Sequence, residues 1–490
     1  MTNGMNVSRR DLFKFGGLAA ITAAGAGALA GCAPQQKMAS TGAAAAEDGS
    51  TYVGPSFLQK PAEITEFDEE HTYDVVVVGA GESGLSAMHA ALEAGATVGA
   101  LQSLSIVQTA GNMGASIDLK KTNEAGIKAV LSFINYKSDY RANLGQVETW
   151  ARNSQEALAW WAEAAAKGGS ESKPYDYTVN CNGHEVFFHA NTYFHDEGHQ
   201  KGALVIGDAV QAEGAEIFFE TPCVQLVQEE DGTVTGAIGK QKDGSYVKLN
   251  ATKGVVLAAG DYMNNESMVD RNLRDAAMFP LCLVNHTGDG HILGILAGGR
   301  MAPLGHARQI HTNYIGPFMF YPFLALDVHG KRFCNETIPM SSLNISMSAT
   351  YKPEDRGIHF RIFDSKTEGA VEGIPGVPPV ALVGEGSAWM DPETVVSGNT
   401  LEELCEAAGI PVADGVASIE RYNELCAKGC DDDFGVAGSD MAAIDTPPFF
   451  CIKGDVGMSG INAGIMVDNR YRVIDNEGAP IPGLYAAGIQ

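Results

Sequence analysis

The clearest pattern of hydrophobic and polar positions lies at residues 74–84, where a buried strand, a glycine-rich turn and a helix follow one another. Four consecutive valines, at 75–78, are typical of a parallel strand covered on both faces. Glycines then follow at G-x-G-x-x-G spacing, which suits a tight turn, a close approach to a pyrophosphate and close helix packing. A helix over 85–94 and a second strand over 97–101 complete the unit. The pattern predicts dinucleotide binding by Gly79, Ala80, Gly81, Glu82, Ser83 and Gly84; a ligand-free glycine turn is the alternative.

Further strand and helix patterns rebuild a large sheet around this unit. The predicted helices cover 121–168, 202–213 and 288–297, and the predicted strands cover 215–220, 224–228, 235–239, 246–250, 254–261 and 482–488. The stretch 169–200 is predicted to be rich in loops, and its four histidines are expected to be structural or solvated rather than metal ligands. Ala259, Gly260 and Asp261 end a buried strand in small residues, which lets a ligand lie against the backbone.

Composition sets the number of domains. A chain of 490 residues predicts about two or three domains. The segment 306–455 is richer in aromatics, prolines and loops, as an inserted domain is. We expect a signal at 1–32, a flexible linker at 33–66, a dinucleotide-binding domain at 67–305 that resumes at 456–490, and the inserted domain at 306–455. The predicted fold class is α/β, with a doubly wound, Rossmann-like domain and an inserted α+β domain.

The N-terminus is typical of an export signal. Arg9 and Arg10 form the twin arginine of a signal that exports folded proteins, and the weakly apolar stretch 15–30 has the length of its h-region. Leu29-Ala30-Gly31-Cys32 has the form of a lipoprotein cleavage box; plain cleavage nearby is the alternative. We therefore expect an extracytoplasmic protein held on the outer face of the cytoplasmic membrane by a lipid on Cys32.

Charge and cysteine spacing exclude several partners. The formal net charge of −27 argues against nucleic acid and anionic membrane surfaces as partners. No CxxCH haem site and no CxxC pair occurs, so scattered, mostly buried thiols are expected. Cys426 and Cys430 are predicted to lie on one helix.

Taken together, these segments resemble the flavoprotein family of fumarate reductase, succinate dehydrogenase and the 3-ketosteroid dehydrogenases. The resemblance runs over most of 72–490 and rests on 79–84, 255–261, 287–290, 330–336, 421–423 and 483–488. It implies FAD as cofactor and a mobile capping domain at 306–455. It also implies that Val224 lies by the adenine, and that Asp289, Gly111 and Asn112 lie near the pyrophosphate and the flavin. Gln102 stands where the family has a glutamate that binds the ribose.

The chain departs from the family where fumarate is bound. The family's proton-donating arginine falls on Met340, and its arginine–glutamate proton relay falls on Met319 and Gly316. One substrate-clamping histidine matches His311, whereas the other falls around 459–460. A dicarboxylate needs cations and paired donors, so fumarate is not the expected substrate. The family also continues past Gly488, so we expect that Gln490 is not the natural end.

Three residues near the family's substrate position are candidates for catalysis. Tyr314 is the preferred proton donor, His311 the group that polarises the substrate carbonyl, and Arg308 the group that binds its anionic part. The alternatives are that Tyr314 is a core aromatic residue, His311 a structural histidine and Arg308 part of a surface ion pair. Arg332 and Glu336 are expected to be structural. Electrons are expected from a separate membrane quinol-linked cytochrome or flavoprotein.

Three functions stay open. The leading hypothesis is an exported, FAD-dependent terminal reductase of an activated alkene of the enoate or enone type. The rival within enzymes is an FAD-dependent dehydrogenase of the ketosteroid type, running in the opposite direction. A non-catalytic flavin- or ligand-binding lipoprotein is the alternative from another class.

Overall fold

The elements of this protein were assigned in a computed structural model, which describes residues 56–108, 113–138, 140–170, 173–192, 199–273, 286–303, 306, 308–312, 323–337, 358–367, 395–454 and 456–489. The helices of these residues are α1 (Glu82–Glu93), α2 (Glu124–Lys137), α3 (Leu144–Lys167), α4 (His199–Ala212), α5 (Glu266–Asn272), α6 (Asp289–Leu296), α7 (Leu401–Ala408) and α8 (Val412–Lys428). The strands are β1 (Glu69–Val78), β2 (Val98–Leu101), β3 (Met113–Ile117), β4 (Lys173–Cys181), β5 (His184–Thr192), β6 (Glu216–Phe218), β7 (Cys223–Gln228), β8 (Val234–Lys240), β9 (Tyr246–Leu257), β10 (Arg308–Thr312), β11 (Leu324–Leu326), β12 (His359–Asp364), β13 (Val395–Gly398), β14 (Phe449–Gly454), β15 (Val456–Ile461), β16 (Arg472–Ile474) and β17 (Pro480–Ala486).

The described residues divide into two compact units. One unit contains those between 309 and 459, and the other contains those up to 308 and from 460 onward. The second of these carries the glycine-rich turn, and we call it the cofactor unit.

A mostly parallel sheet forms the centre of the cofactor unit. Its order is β6-β2-β1-β9-β17, and these five strands are parallel to one another. β16 pairs antiparallel with β17 at one edge, and β8 joins the first half of β9 to β7 in an antiparallel meander. A separate antiparallel sheet has the order β3-β5-β4.

The valines of β1 show why this sheet is buried on both faces. Val77 packs in one apolar cluster with residues of α1, α3 and α4, whereas Val76 and Val78 pack in another with residues of β8, β9 and α6. All three are buried, because successive side chains of a strand point to opposite faces. The predicted strand, turn and helix are therefore confirmed, and Trp161 is buried in the first cluster.

The unit between 309 and 459 is an α+β assembly. Its antiparallel sheet has the order β11-β12-β14-β13, and it shares one apolar cluster with α7 and α8. The side chain of Arg332 is largely enclosed there with two buried carboxylates, and its Nη2 atom lies 2.7 Å from Glu336 Oε2 and 2.8 Å from Asp431 Oδ2. This ion pair agrees with the structural role expected of Arg332 and Glu336. The fold class is α/β, with a Rossmann-like unit and an α+β insertion.

Three predictions of local structure were wrong. The supposed loops at 169–200 contain the hairpin of β4 and β5, because Asn182 and Gly183 take the positive φ values of 53° and 86° that a tight hairpin turn needs. The two strands predicted at 246–250 and 254–261 form one strand, β9, since β1 pairs along both halves of it. Cys430 lies beyond α8, which ends at Lys428 before Gly429, so it shares no helix with Cys426.

Part of the predicted linker has defined contacts. Gln225 binds it with both ends of its side-chain amide: Oε1 accepts from the Ile64 N–H at 2.9 Å, and Nε2 donates to the Ala62 carbonyl at 3.4 Å. The remainder of the linker, 33–55, lies outside the described residues, as do Arg9, Arg10, Cys32 and His195. Of the helices that the structure describes, none is long and apolar enough to span a membrane.

Candidate functional site

The glycine-rich turn is built so that side chains cannot fit at two of its positions. Gly79 has φ +102°, and a Cβ atom there would lie 2.4 Å from the Ala258 carbonyl oxygen. A Cβ atom at Gly84 would lie 1.9 Å from the Gly79 carbonyl oxygen. α1 therefore begins directly against the end of β1. Gly81, at the N-cap, has no side chain to bond the first N–H groups of α1, a helix start that suits an anion such as a pyrophosphate.

Gln102 supports this turn from the end of β2. Its side-chain Oε1 accepts a hydrogen bond from the Ala80 N–H at 3.1 Å, and its Nε2 donates to the Ile106 carbonyl at 2.8 Å. The residue is buried, so these two bonds fix the amide in place. One amide N–H and one carbonyl lone pair remain for a ribose hydroxyl. A carboxylate could not donate to the Ile106 carbonyl, which gives the glutamine a physical reason at this position.

Val224 lies at an irregular position in β7. The pairing with β8 passes from Cys223 to Gln225 and skips the residue between them, which makes Val224 the extra residue of a β-bulge. Bulges turn backbone groups away from the ladder, and such groups can read an adenine edge. Val224, which the sequence predicts to lie by the adenine, therefore has backbone groups that could bond to an adenine edge.

Asp289 lies in the first turn of α6, close to the same strand. Its side chain is exposed, yet burial by surrounding protein is the main cause that raises the pKa of its carboxyl, against a hydrogen bond from Thr287 that lowers it. A side chain that is reached by solvent and is also surrounded by many protein atoms, as that of Asp289 is, is typical of a residue that lines a cleft. Burial is the main cause that raises the pKa of the Cys223 thiol, and the charge of Asp289 adds to that increase. Asp289 and β7 are therefore neighbours.

Asp261, in the small-residue segment after β9, is predicted from the sequence to contact the cofactor, but its side chain bonds to protein groups. Asp261 is fully buried, and its carboxylate accepts from the Met263 N–H at 3.0 Å and from the Ile461 N–H at 2.8 Å. His286 Nδ1 also lies 3.0 Å from Asp261 Oδ1. The side chain is therefore committed to protein partners. Ala259 and Gly260 lie beside it at the same edge of the sheet.

A turn near the C-terminus reaches the glycine-rich turn. A Cβ atom at Gly488 would lie 2.5 Å from Ser83 Oγ, so the turn after β17 touches the first turn of α1. Glu82 and Ser83 lie in that first turn. The described residues thus form one cradle at the carboxyl edge of the parallel sheet, where doubly wound folds bind their ligands.

This cradle fits FAD. Its glycines admit a pyrophosphate, the uncapped start of α1 supplies N–H donors, and β7 offers bulged backbone at the far end. Of the remaining predicted contacts, Gly111 and Asn112 lie outside the described residues.

The three catalytic candidates are described only in part. Arg308 and His311 lie on β10, which pairs with β15, but their side chains lie outside the described residues. Tyr314 and Met340 lie wholly outside them. Sequence reasoning missed His286, whose position beside Asp261 requires the folded chain. Its only sequence signal is that it directly precedes the Thr287-Gly288-Asp289-Gly290 segment.

Comparisons with known proteins cover nearly the whole chain. A family model described as the FAD binding domain matches residues 74–489. The chain is 25% identical over 463 residues to vinyl phenol reductase of Lactiplantibacillus plantarum, which covers 85% of this chain and 89% of that protein. It is 27% identical over 543 residues to digoxin reductase of Eggerthella lenta, covering 98% and 91%.

Two further similarities concern a dehydrogenase and a solved structure. The chain is 29% identical over 331 residues to 4-oxocyclohex-2-ene-1-carboxylate 5-dehydrogenase of Sinomonas cyclohexanicum, covering 58% of this chain and 53% of that protein. The fold is similar to the open conformation of a flavocytochrome c3 fumarate reductase, with a TM-score of 0.62, 22% identity, and coverage of 86% of this chain and 73% of that chain. With its FAD-shaped cradle, the chain belongs to the FAD-binding domain family and is an FAD-dependent oxidoreductase.

Proposed function

We propose that this protein reduces an activated C=C bond, of the enoate or enone type, as a terminal reductase of anaerobic respiration. The observation that carries this proposal is the extent of one similarity. The match to digoxin reductase covers 98% of this chain, so it is not confined to the cofactor-binding part. Vinyl phenol reductase, matched over 85% of this chain, is also a reductase by name.

The expected acceptor is less acidic than fumarate. Met340, Met319 and Gly316 stand where fumarate reductases have the residues of a proton-donating arginine and its relay. A dianion would lack the cations that bind and polarise it. Aromatic residues at 314, 318, 320 and 321 favour a bulky or aromatic acceptor.

The chemistry divides between the cofactor and the chain. Bound FAD, when reduced, supplies a hydride from its N5 atom. The chain must hold the alkene in line, polarise its activating carbonyl and deliver a proton to the second carbon. We assign one role to each of three residues. His311 donates the hydrogen bond that polarises the carbonyl, the Tyr314 hydroxyl donates the proton, and Arg308 binds an anionic group of the acceptor.

Export and electron supply belong to the same proposal. The twin arginine at 9–10 and the Cys32 box support export in the folded state and a lipid anchor on the outer face of the cytoplasmic membrane. A separate membrane quinol-linked cytochrome or flavoprotein then delivers the electrons. Replacing Cys32 by Ala is expected to move the protein from the membrane to the soluble extracytoplasmic fraction, and replacing both arginines by Lys to keep it in the cytoplasm. An unchanged distribution in both variants contradicts this assignment.

The test of the reductase is anaerobic reoxidation of the flavin. The purified holoprotein is reduced, and its visible spectrum is followed as enoates and enones are added one at a time, with 4-vinylphenol, urocanate, an unsaturated lactone and fumarate among them. We expect rapid reoxidation by a non-fumarate acceptor with saturated product formed in equal amount. Reoxidation by fumarate alone, or by none of the panel, contradicts the proposal.

Variants test the assigned residues separately. His311→Ala and Tyr314→Phe are each expected to slow reoxidation by about 100-fold or more, because each removes a group that acts in the transition state. If neither changes the rate, the site assignment is wrong even though the reductase stands.

The opposite direction has one specific observation in its favour. The relative from Sinomonas cyclohexanicum is a dehydrogenase by name, although it matches only 58% of this chain. Reduction of the oxidised holoprotein, or of an added dye, by a saturated cyclic ketone would favour this second candidate.

A further inference from the structure

A histidine and a buried aspartate form a pair at the carboxyl edge of the parallel sheet. Asp261 is fully buried and accepts from the N–H groups of Met263 and Ile461 as well as pairing with His286. Both carboxyl oxygens accept from backbone N–H groups, Oδ1 from Met263 and Oδ2 from Ile461, as an acceptor-only carboxylate does. His286 Nδ1 therefore carries the proton shared with Asp261 Oδ1 at 3.0 Å.

This pairing fixes what the other ring nitrogen can do. With Nδ1 as donor, Nε2 is an acceptor in the neutral ring and a donor in the protonated ring. No partner of Nε2 occurs among the residues that the structure describes. The side chain is 18% exposed, so the nitrogen is not sealed in the core.

The ring lies flat over a glycine. Its Cδ2, Nε2 and Cε1 atoms are 3.5, 3.5 and 3.6 Å from the point where a Cβ atom of Gly260 would stand. Gly260 has φ +81°, a conformation that side chains rarely adopt, and it follows the end of β9. Nε2 is thus held over open backbone at the edge of the sheet that carries the FAD cradle.

Two other described histidines with polar partners, His306 and His189, lack this combination. His306 uses both ring nitrogens, with Nδ1 2.5 Å from the Tyr262 hydroxyl and Nε2 2.9 Å from the Ala302 carbonyl oxygen. His189 pairs with Asp176 at 2.7 Å, but both side chains are exposed and lie on the β4–β5 hairpin. Of these three histidines, only His286 combines a fully buried carboxylate partner with an outer nitrogen that has no partner among the described residues.

We propose that His286 binds the acceptor through Nε2, donating a second hydrogen bond, in addition to the one assigned to His311, to the carbonyl or carboxylate oxygen that activates the C=C bond. This inference rests on the proposed reductase function. The oxygen gains negative charge as the hydride adds to the distant carbon, and a fixed hydrogen-bond donor stabilises that charge. His286 keeps its proton throughout, because the proton for carbon comes from elsewhere. Asp261 is the positioning residue that fixes the ring.

The first test compares His286→Gln with His189→Gln, a matched control that removes a carboxylate-paired imidazole from the hairpin. Both are loaded with FAD and assayed with the acceptor found for the native protein. We expect His286→Gln to lower kcat/KM by about 10- to 100-fold, the range for loss of a charged hydrogen bond, with FAD still bound. His189→Gln should match the native protein.

Each outcome has a distinct meaning. Unchanged kcat/KM in His286→Gln overturns the inference while the reductase function stands. If the native holoprotein reduces no acceptor, the failure appears without any variant, and both the function and the inference are overturned.

A second measurement covers the case in which His286→Gln does not fold. The native holoprotein is treated with diethyl pyrocarbonate with and without the oxidised acceptor, and modification is read peptide by peptide by mass spectrometry. We expect the acceptor to protect His286 at least about fivefold, since Nε2 is the reacting atom, and to leave His189 unaffected. Equal modification of His286 in both samples overturns the inference.

Discussion

His291 makes the stability of the cofactor unit depend on pH in a way that can be calculated. It lies on α6, is fully buried, and packs edge-on against the ring of Tyr262 at 5.3 Å between centroids. Burial is the main cause that lowers its pKa to about 4 from 6.5; attraction to Asp261 opposes the shift and repulsion from His306 adds to it. The folded protein therefore keeps this ring neutral well below the pH at which the unfolded chain protonates it.

The sign and the size of the effect follow from proton linkage. Below the unfolded value of 6.5 the unfolded chain binds a proton that the folded chain does not, so stability falls as the pH falls. Between about pH 7 and about pH 5 the calculated loss is about 2 kcal/mol, and it approaches about 3 kcal/mol near about pH 4, where the folded ring also titrates. The loss is absent above the unfolded pKa.

The assay compares urea unfolding of the native protein and His291→Leu at about pH 7 and about pH 5. Leucine is of similar volume and cannot be protonated, so this variant should lose about 2 kcal/mol less over the interval. Tryptophan fluorescence is a suitable signal, because Trp150, Trp160 and Trp161 belong to the cofactor unit. His189→Leu, at an exposed position, is the control and should follow the native protein. Equal losses in native protein and His291→Leu refute the reasoning.

Two further substitutions test the units separately. Arg332→Met leaves two buried carboxylates without their cation and is expected to destabilise the 309–459 unit by about 3–5 kcal/mol in calorimetry, whereas Lys331→Met breaks only an exposed ion pair and should cost less than about 1 kcal/mol. Equal melting of these variants contradicts the importance of burial. Gly84→Ala sets a methyl group 1.9 Å from the Gly79 carbonyl oxygen and should abolish retention of FAD, measured by absorbance after gel filtration. Ala90→Gly, on the exposed side of the same helix, should retain FAD and cost about 1 kcal/mol; retention by both contradicts the packing argument.

Local sequence predicts the centre of the fold because its constraints are local. The valines at 75–78 and the glycines after them each carry one physical requirement, and α1 begins where they place it. The hairpin of β4 and β5 has an equally local signal in Asn182-Gly183, a dipeptide that readily takes the positive φ values of a tight hairpin turn. β9 could not be predicted as one strand, because its continuity comes from β1, far away in the chain.

The candidate site divides in the same way. The FAD cradle was found from spacing, since backbone approach depends on glycines at fixed intervals. The pairing of His286 with Asp261 depends on the end of β9 and the segment before α6 meeting in space, because the two residues are 25 positions apart. The second hydrogen bond to that carboxylate comes from Ile461, 200 positions away. Long-range chemistry of this kind requires the folded structure.

The pairing of β9 with β17 has a consequence for the order in which the chain folds during synthesis. β17 lies parallel to β9 through Leu484, Tyr485 and Ala486, so the sheet of the cofactor unit cannot be completed until these residues have left the ribosome. The unit between 309 and 459 has all its strands and helices in one continuous stretch and emerges earlier. Contacts close in sequence form faster than distant ones. The 309–459 unit is therefore expected to fold while β9 still has an unpaired edge, where β17 will later pair. That edge of β9 is where we expect a chaperone of nascent chains to bind.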